Sequence, residues 1–490
     1  MKHLSIDIET YSSVNISKAG AHKYAESEDF EVLLFAYKED AQPTKVIDLV
    51  SGEKIPAHIV AALSDASIIK HAFNAAFEWI CLNRAGYFTP IEQWRCTMIH
   101  GLYCGYPAGL EAIGKAIGLP EDKQKLSTGK ALINYFCKPC KPTKSNGSRS
   151  RNLPKHAPGK WELFKEYNRQ DVEAESSILK KLTTHPVPEA AWAAWVEDIG
   201  INSRGVAIDD RLLTGALALD DMSTAELVDE AKAITGLSNP NSNAQLLGWV
   251  ISQGIEVDNL RKETVSDLLD GELPENVRAA LELRQKLGKS SVSKYKAMAD
   301  ARGKDGRVRG LLQFYGANRT GRWAGRLVQV QNLPRNYIKT LDEARELVKA
   351  ANYRGLKLIY GNVPDTLSQL IRTAFIPADG KKFIVSDFSA IEARVIAWLA
   401  GENWVLDVFK SGGDIYCATA SQMFGVPVEK HGVNGDLRQK GKVATLALGY
   451  QGSSNALIQM GALNMGIPED ELPDIVSKWR MANPNIVQLW

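Results

Sequence analysis

Residues 4–9, Leu4-Ser5-Ile6-Asp7-Ile8-Glu9, alternate apolar and polar with a period of two, the signature of a half-buried β-strand. On such a strand Asp7 and Glu9 point to one face and the isoleucines to the other. Two carboxylates side by side repel and call for a cation between them. Hard oxygen donors of this kind suit Mg²⁺ or Mn²⁺.

Working outward, Val32–Tyr37 and Ala66–Ile69 read as further strands, and residues 76–84 and 160–182 carry helical periodicity, so the first 188 residues read as an α/β domain. Residues 141–160 hold six Lys/Arg, no acid and several Pro, Gly and Ser, and read as a mobile loop that is either a solvated linker or a contact to a phosphate backbone. His185-Pro186-Val187-Pro188 marks a boundary. From 189 to about 300 the patterns are mostly helical, with Ala190–Ile199, Asp210–Thr235 and Glu275–Leu287 the clearest. Gly288-Lys289-Ser290 is not a phosphate-binding loop, because Leu283 stands where that loop needs glycine. Residues 302–339 carry nine Lys/Arg against one acid, Asp305, with Phe314, Tyr315, Trp323 and Tyr337 interleaved. Phe383-Ile384-Val385 reads as a strand ending in Ser386-Asp387. Arg438, Lys442, Leu446 and Tyr450 recur every four residues and predict one helix stripe.

The 490 residues are 44% hydrophobic and 24% charged, enough for several cores and unlike a disordered chain. No window approaches about 18 uninterrupted apolar residues, so no membrane span is expected. Acids at positions 7 and 9 leave no signal-peptide core, and a cytoplasmic location is expected. Six cysteines exclude a disulfide scaffold, and Cys137-x-x-Cys140 has no second ligand pair for zinc. The net charge of +2 announces no nucleic-acid partner; its distribution does.

Two further features join Asp7 and Glu9. His71-Ala72-Phe73-Asn74-Ala75-Ala76-Phe77-Glu78 offers a third carboxylate, and Tyr167 and Asp171, four apart on a helix, add a phenol and a fourth. This order resembles the three motifs of the DnaQ-like, RNase H-like 3′–5′ proofreading exonucleases, with Glu78 where that family usually has Asp. The resemblance implies catalysis by Asp7, Glu9, Glu78, Tyr167 and Asp171, with two metal ions held by Asp7, Glu9 and Asp171 and the water oriented by Tyr167.

Ser386-Asp387-Phe388-Ser389-Ala390-Ile391-Glu392-Ala393-Arg394 resembles motif A of the family A DNA polymerases. There the resemblance makes Asp387 a ligand of both catalytic metals and Glu392 a guard against ribonucleotides. The stripe of Arg438, Lys442, Leu446 and Tyr450 resembles motif B, which implies triphosphate binding by Arg438 and Lys442 and a place for Tyr450 beside the templating base. Leu446 and Ala447 depart from that motif's aromatic and glycine, and Gln451 is inserted before Gly452. An aliphatic Leu446 cannot stack as an aromatic does. Arg319-Thr320-Gly321-Arg322-Trp323-Ala324-Gly325-Arg326 and Gln331-Asn332-Leu333-Pro334-Arg335 resemble the family's primer–template segment, which implies DNA contacts from Arg319, Thr320, Arg322, Arg326, Gln331, Asn332 and Arg335.

Across nearly the whole chain the wording is most similar to bacteriophage or prophage members. The expected architecture is an RNase H-like exonuclease domain (1–188), a helical thumb-like region (189–310), a partial palm (311–405) and partial fingers (406–490). The expected partners are primer–template DNA, single-stranded 3′ ends and dNTPs, with two Mg²⁺ or Mn²⁺ ions per active site. The family's third motif, His-Asp-Glu, has no counterpart, since no His-Asp pair occurs in the chain. A truncated polymerase, with weak or no synthesis alone and an intact exonuclease site, is therefore expected. The alternatives are an exonuclease with a residual primer–template platform, and a DNA-binding protein with both sites decayed. The intact Asp7, Glu9, Asp171 and Asp387 argue against the last.

Overall fold

The alternation at residues 4–9 is realised as β1 (His3–Tyr11), whose Leu4, Ile6 and Ile8 are buried in one core. Burying an aliphatic side chain of this size contributes about 1.5–3 kcal/mol, so the pattern fixes which face turns inward. The computed structural model describes residues 1–120, 129–288, 292–317 and 319–490. The Gly288-Lys289-Ser290 run falls mostly outside them. Two compact units divide at Lys382/Phe383, so the segment 311–405 has residues in both. Among the described residues no helix is long and apolar enough to cross a membrane.

In the first unit β1 sits at the centre of a five-stranded sheet completed by β2 (Glu31–Glu39), β3 (Lys45–Asp48), β4 (Ile69–Ala72) and β5 (Trp94–Cys96), in the order β3-β2-β1-β4-β5. β1 runs antiparallel to β2 and parallel to β4. Its register against β2 shifts between Glu9 and Thr10, immediately after the second carboxylate. Irregularities of this kind bend a strand and re-aim its side chains. Helices α1 (Ile16–Ala25), α2 (Ala75–Arg84), α3 (Gly129–Phe136) and the 25-residue α4 (Pro158–Leu182) accompany the sheet.

β4 begins at Ile69, three residues later than the expected Ala66. Asp65 accepts hydrogen bonds from the Ser67 amide and hydroxyl at 2.8 and 2.7 Å, which holds that stretch in a turn. The segment 141–157 is irregular as expected, but it is tied down by internal hydrogen bonds rather than loose.

Beyond the His185–Pro188 connector come α5 (Glu189–Arg204), α6 (Asp210–Thr235), α7 (Asn243–Ser252), α8 (Lys262–Asp270), α9 (Glu275–Leu287) and α10 (Ser293–Ala301). Asp209 caps α6, its carboxylate accepting from Leu212 N at 3.1 Å. Leu212, Leu219, Tyr295, Met298 and Leu367 share one core, while Leu246, Val250, Val265, Val277 and Leu281 of α7–α9 form a separate one. The unit also holds a three-stranded sheet of β6 (Val206–Ile208), β7 (Arg307–Val308) and β10 (Phe375–Ile376), and a hairpin of β8 (Leu312–Ala317) and β9 (Arg322–Gly325).

The second unit is helical, with α11 (Ile391–Ala400), α12 (Ile415–Phe424), α13 (Leu437–Leu448) and α14 (Leu472–Ala482). Val443, Leu448, Leu472, Ile475 and Trp479 form its main core. Two expectations fail here. Phe383–Val385 is not a strand: it pairs with no strand among the described residues, and Ile384 and Val385 are 87% and 90% exposed. An apolar, β-branched run becomes a strand only where a neighbour takes its backbone hydrogen bonds. Tyr450 lies past the end of α13, because the helix stops at Leu448 and Gln451 turns left-handed at φ 63°. The helix stripe therefore comprises Arg438, Lys442 and Leu446 only.

Candidate active site and nucleic-acid interface

In the first unit the acids on the polar face of β1 meet one face of α4. Tyr167 and Asp171 are both buried there, and the Tyr167 hydroxyl bonds to Asp171. Glu78, in the first turn of α2, is 3% exposed. Burial pushes its carboxyl well above the usual range, with the charges of Asp7, Glu9 and Glu175 adding. The Tyr167 phenol is raised by burial and by Asp171, Glu9 and Asp7, which keeps it protonated. Glu78 and Tyr167 thus lie within electrostatic reach of Asp7 and Glu9, with Asp171 bonded to Tyr167.

Among the described residues, Asn168 and Cys137, outside the expected set, hold two of these acids, and Glu175 adds a charge that acts on Glu78. The Asn168 amide Nδ2 donates to Asp7 Oδ2 at 2.7 Å and to the Asp7 main-chain oxygen at 3.2 Å. The Cys137 thiol lies 3.7 Å from Glu9 Oε2. Glu175 accepts from the Thr97 hydroxyl, and burial lifts its carboxyl to about 7. Glu175 extends the four-residue spacing of Tyr167 and Asp171, a signal present in the sequence. Asn168 adjoins Tyr167 in sequence, and nothing there marks it.

The donor set suits a hard divalent cation, being all carboxylate with one phenol. Glu78 Oε2 is buried and accepts no hydrogen bond among the described residues, an oxygen of the kind a cation satisfies. As they stand, no three His, Cys, Asp or Glu side chains among the described residues close on a single ion position. Asp7 accepts from Asn168, and Glu9 lies beside the Cys137 thiol.

The second surface of this unit runs from β8 to Arg335. Arg319, Thr320, Arg322, Arg326, Gln331, Asn332 and Arg335 are all exposed. Gly325 lets the chain double back: a Cβ there would fall 2.2 Å from Gln331 Oε1 and 2.9 Å from Gln329 Cα. Leu327 and Gln329 adopt φ values of 53° and 54°, conformations that cost a residue with a Cβ about 1–3 kcal/mol and gather at functional segments. Asn332 and Gln329 also line a groove of about 1210 Å³ with Arg261, Lys262, Arg284 and Lys294 of the α8–α10 region, a basic channel that the sequence pattern did not disclose.

In the second unit Asp387 and Glu392 are exposed, Asp387 on the unpaired 383–388 segment. Arg438 Nη2 forms an ion pair with Asp414 Oδ2 at 2.9 Å and its guanidinium lies over the Tyr416 ring at 5.3 Å. Arg438, Lys442 and Leu446 are half-buried along α13, and Tyr450 is 65% exposed. A lone exposed Asp387 does not make an ion site by itself.

A model of DNA polymerase family A matches residues 220–488. The chain is 54% identical over 493 residues to a DNA polymerase of Bacillus phage SP02, a match covering 100% of this chain and 76% of that protein. It is 35% identical over 127 residues to the thermostable DNA polymerase I of Thermus aquaticus, covering 26% of this chain and 14% of that protein. The fold is similar to the POL domain of Pol1 from M. smegmatis, solved in complex with DNA primer-template and dNTP, with a TM-score of 0.59 at 16% identity over 99% of this chain and 73% of that one.

Proposed function

Since the chain belongs to DNA polymerase family A, we propose that it acts on DNA through two centres, a template-directed polymerase centre around Asp387 and α13 and a 3′–5′ exonuclease centre on β1 and α4. The observation that carries the exonuclease reading is the burial of Glu78, Tyr167 and Asp171 against the acids of β1. Mg²⁺ or Mn²⁺ ions held by Asp7, Glu9 and Asp171, with Glu78 adjacent, would supply the Lewis acidity that activates an attacking water and stabilises a leaving 3′ oxygen. The chain's own part is positional. Asn168 fixes the rotamer of Asp7, and the protonated Tyr167 offers its hydroxyl to orient water. The exposed Arg319–Arg335 surface takes the primer–template duplex through phosphate and groove contacts.

For the polymerase centre, Arg438 and Lys442 would hold the triphosphate once Arg438 exchanges Asp414 for phosphate oxygens. The second reading, an exonuclease with a primer–template platform, is favoured by the exposure of Asp387 on a segment that pairs with no strand among the described residues.

Two assays decide between these readings. Asp7→Ala should lower Mg²⁺-dependent degradation of a labelled single strand at least about 100-fold. Unchanged degradation would sink the exonuclease assignment. Primer extension in the Asp7→Ala background then reads synthesis free of degradation, and extension that Asp387→Ala abolishes would establish the polymerase centre in this chain.

A further inference from the structure

The segment joining α3 to α4 carries charge that neither centre uses. From Lys138 to Lys160 there are five lysines and two arginines and no acid. The arginines are spent on structure. Arg149 donates to Asn152 Oδ1 at 2.8 Å and to the Asn146 carbonyl at 2.9 Å. Arg151 lies 3.7 Å over the Tyr11 ring and pairs with Glu31 at 2.5 Å. Asn146 closes the tip by donating to the Lys141 carbonyl at 2.9 Å, Cys140 N donates to Ser150 O at 2.8 Å, and the buried Asn152 reaches the Tyr135 carbonyl at 3.1 Å. The lysines are exposed, and none forms an ion pair with a carboxylate among the described residues; Lys138 Nζ donates to Asn134 Oδ1 at 2.7 Å and Lys160 lies over the Tyr135 ring at 4.5 Å, while Lys141, Lys144 and Lys155 project to solvent. A merely solvated linker has no need of such fastening.

The fastening points back to one strand. Cys137 meets Glu9 and Arg151 covers Tyr11, so both ends of the segment are secured to β1 within four residues of Asp7. A cationic rim is thereby held rigidly beside an anionic pocket. We propose that Lys138, Lys141, Lys144, Lys155 and Lys160 form a binding track for the phosphates of a single DNA strand whose 3′ end enters the carboxylate pocket. This assignment rests on the reading of that pocket as a nuclease centre. The pocket takes cations and the scissile phosphate, and the rim neutralises the phosphates behind it.

The test uses the full chain carrying Lys141→Gln, Lys144→Gln and Lys155→Gln together, exposed changes that leave packing intact, as thermal unfolding will verify. Anisotropy of a labelled single strand in EDTA, at several salt concentrations, gives the slope of log affinity against log salt. The slope should fall by about 2, at about 0.7 per lost phosphate contact, while the slope for primer–template duplex stays unchanged. In Mg²⁺ the variant should degrade single strands with raised KM and unchanged kcat. An unchanged single-strand slope, or an equal fall for duplex, overturns the track. If the parent chain fails to degrade single strands yet the slope still falls, the nuclease reading fails and the binding track stands. If the parent degrades them and the slope is unmoved, the reverse holds.

Discussion

The side-chain amide of Asn168 is bonded to Asp7 twice, to Oδ2 at 2.7 Å and to the main-chain oxygen at 3.2 Å. One side chain thus fixes both the position of the strand and the rotamer of its acid. Replacing Asn168 by Leu should raise the Mg²⁺ concentration needed for half-maximal single-strand degradation about 10–100-fold, as expected for a group that orients a ligand. Mn²⁺ binding followed by electron paramagnetic resonance supplies a readout independent of turnover. Equal metal affinity in variant and parent would reduce Asn168 to a packing role.

Gly129 begins α3 against the ring of Tyr167, where an added Cβ would fall 2.0 Å from Cε2. Gly129→Ala should therefore cost about 1–3 kcal/mol of stability through overpacking and displace the phenol. In a Tyr167→Ala background the same change should cost almost nothing, because the clash has no second partner. Urea unfolding of the four proteins closes the cycle, and additive costs would contradict the contact.

Arg322 and Arg326 stand exposed on and just after β9. Neutralising both should lower the salt slope of primer–template binding by about 0.9 per lost phosphate contact. Fluorescence anisotropy across a salt series measures it. If the slope holds, the duplex lies elsewhere, with the groove lined by Arg261, Lys262 and Arg284 the next surface to neutralise.

His22 gives the first unit an acid-sensitive point. Burial, reinforced by Arg309 and opposed by Glu26, holds its imidazole down at about 4 from an ordinary 6.5. The unfolded chain takes up this proton near 6.5, whereas the folded chain resists until about 4. Between those values the unfolded state binds more protons, so stability is complete above 6.5 and is lost as the pH falls toward 4. The loss approaches about 3 kcal/mol. His22→Gln should flatten that part of the stability profile, and identical acid profiles for variant and parent would show that another group governs it.

Local pattern carried much of this architecture into the sequence. Asp210–Thr235 and Glu275–Leu287 form helices with the bounds their periodicity predicts, and β1 buries the face its alternation selects. Carboxylates two apart on a strand and four apart on a helix are local arithmetic, so Asp7, Glu9, Tyr167 and Asp171 were legible. What escaped depends on partners distant along the chain. Asn168 reaches Asp7 across 161 residues, and no spacing rule spans such a gap. Phe383–Val385 has the composition of a strand, yet pairing is a property of two segments and composition describes one. Tyr450 kept the four-residue rhythm, but the backbone at Gly449–Gln451 ended the helix beneath it.

The doubling-back at Gly325 also bears on heredity. Every non-silent, non-stop change in its codon adds at least a Cβ, and that atom would meet both the Gln331 side chain and the Gln329 backbone. Gln331 can swing aside; Gln329 Cα cannot without moving the segment that carries Arg326 and Asn332. Variation in this stretch is therefore channelled. The exposed arginines around it are free to drift toward lysine or to be lost one at a time, with graded consequences, while position 325 admits only the smallest residue. A population of related genes sampled without regard to function should show a fixed glycine set among changeable cations.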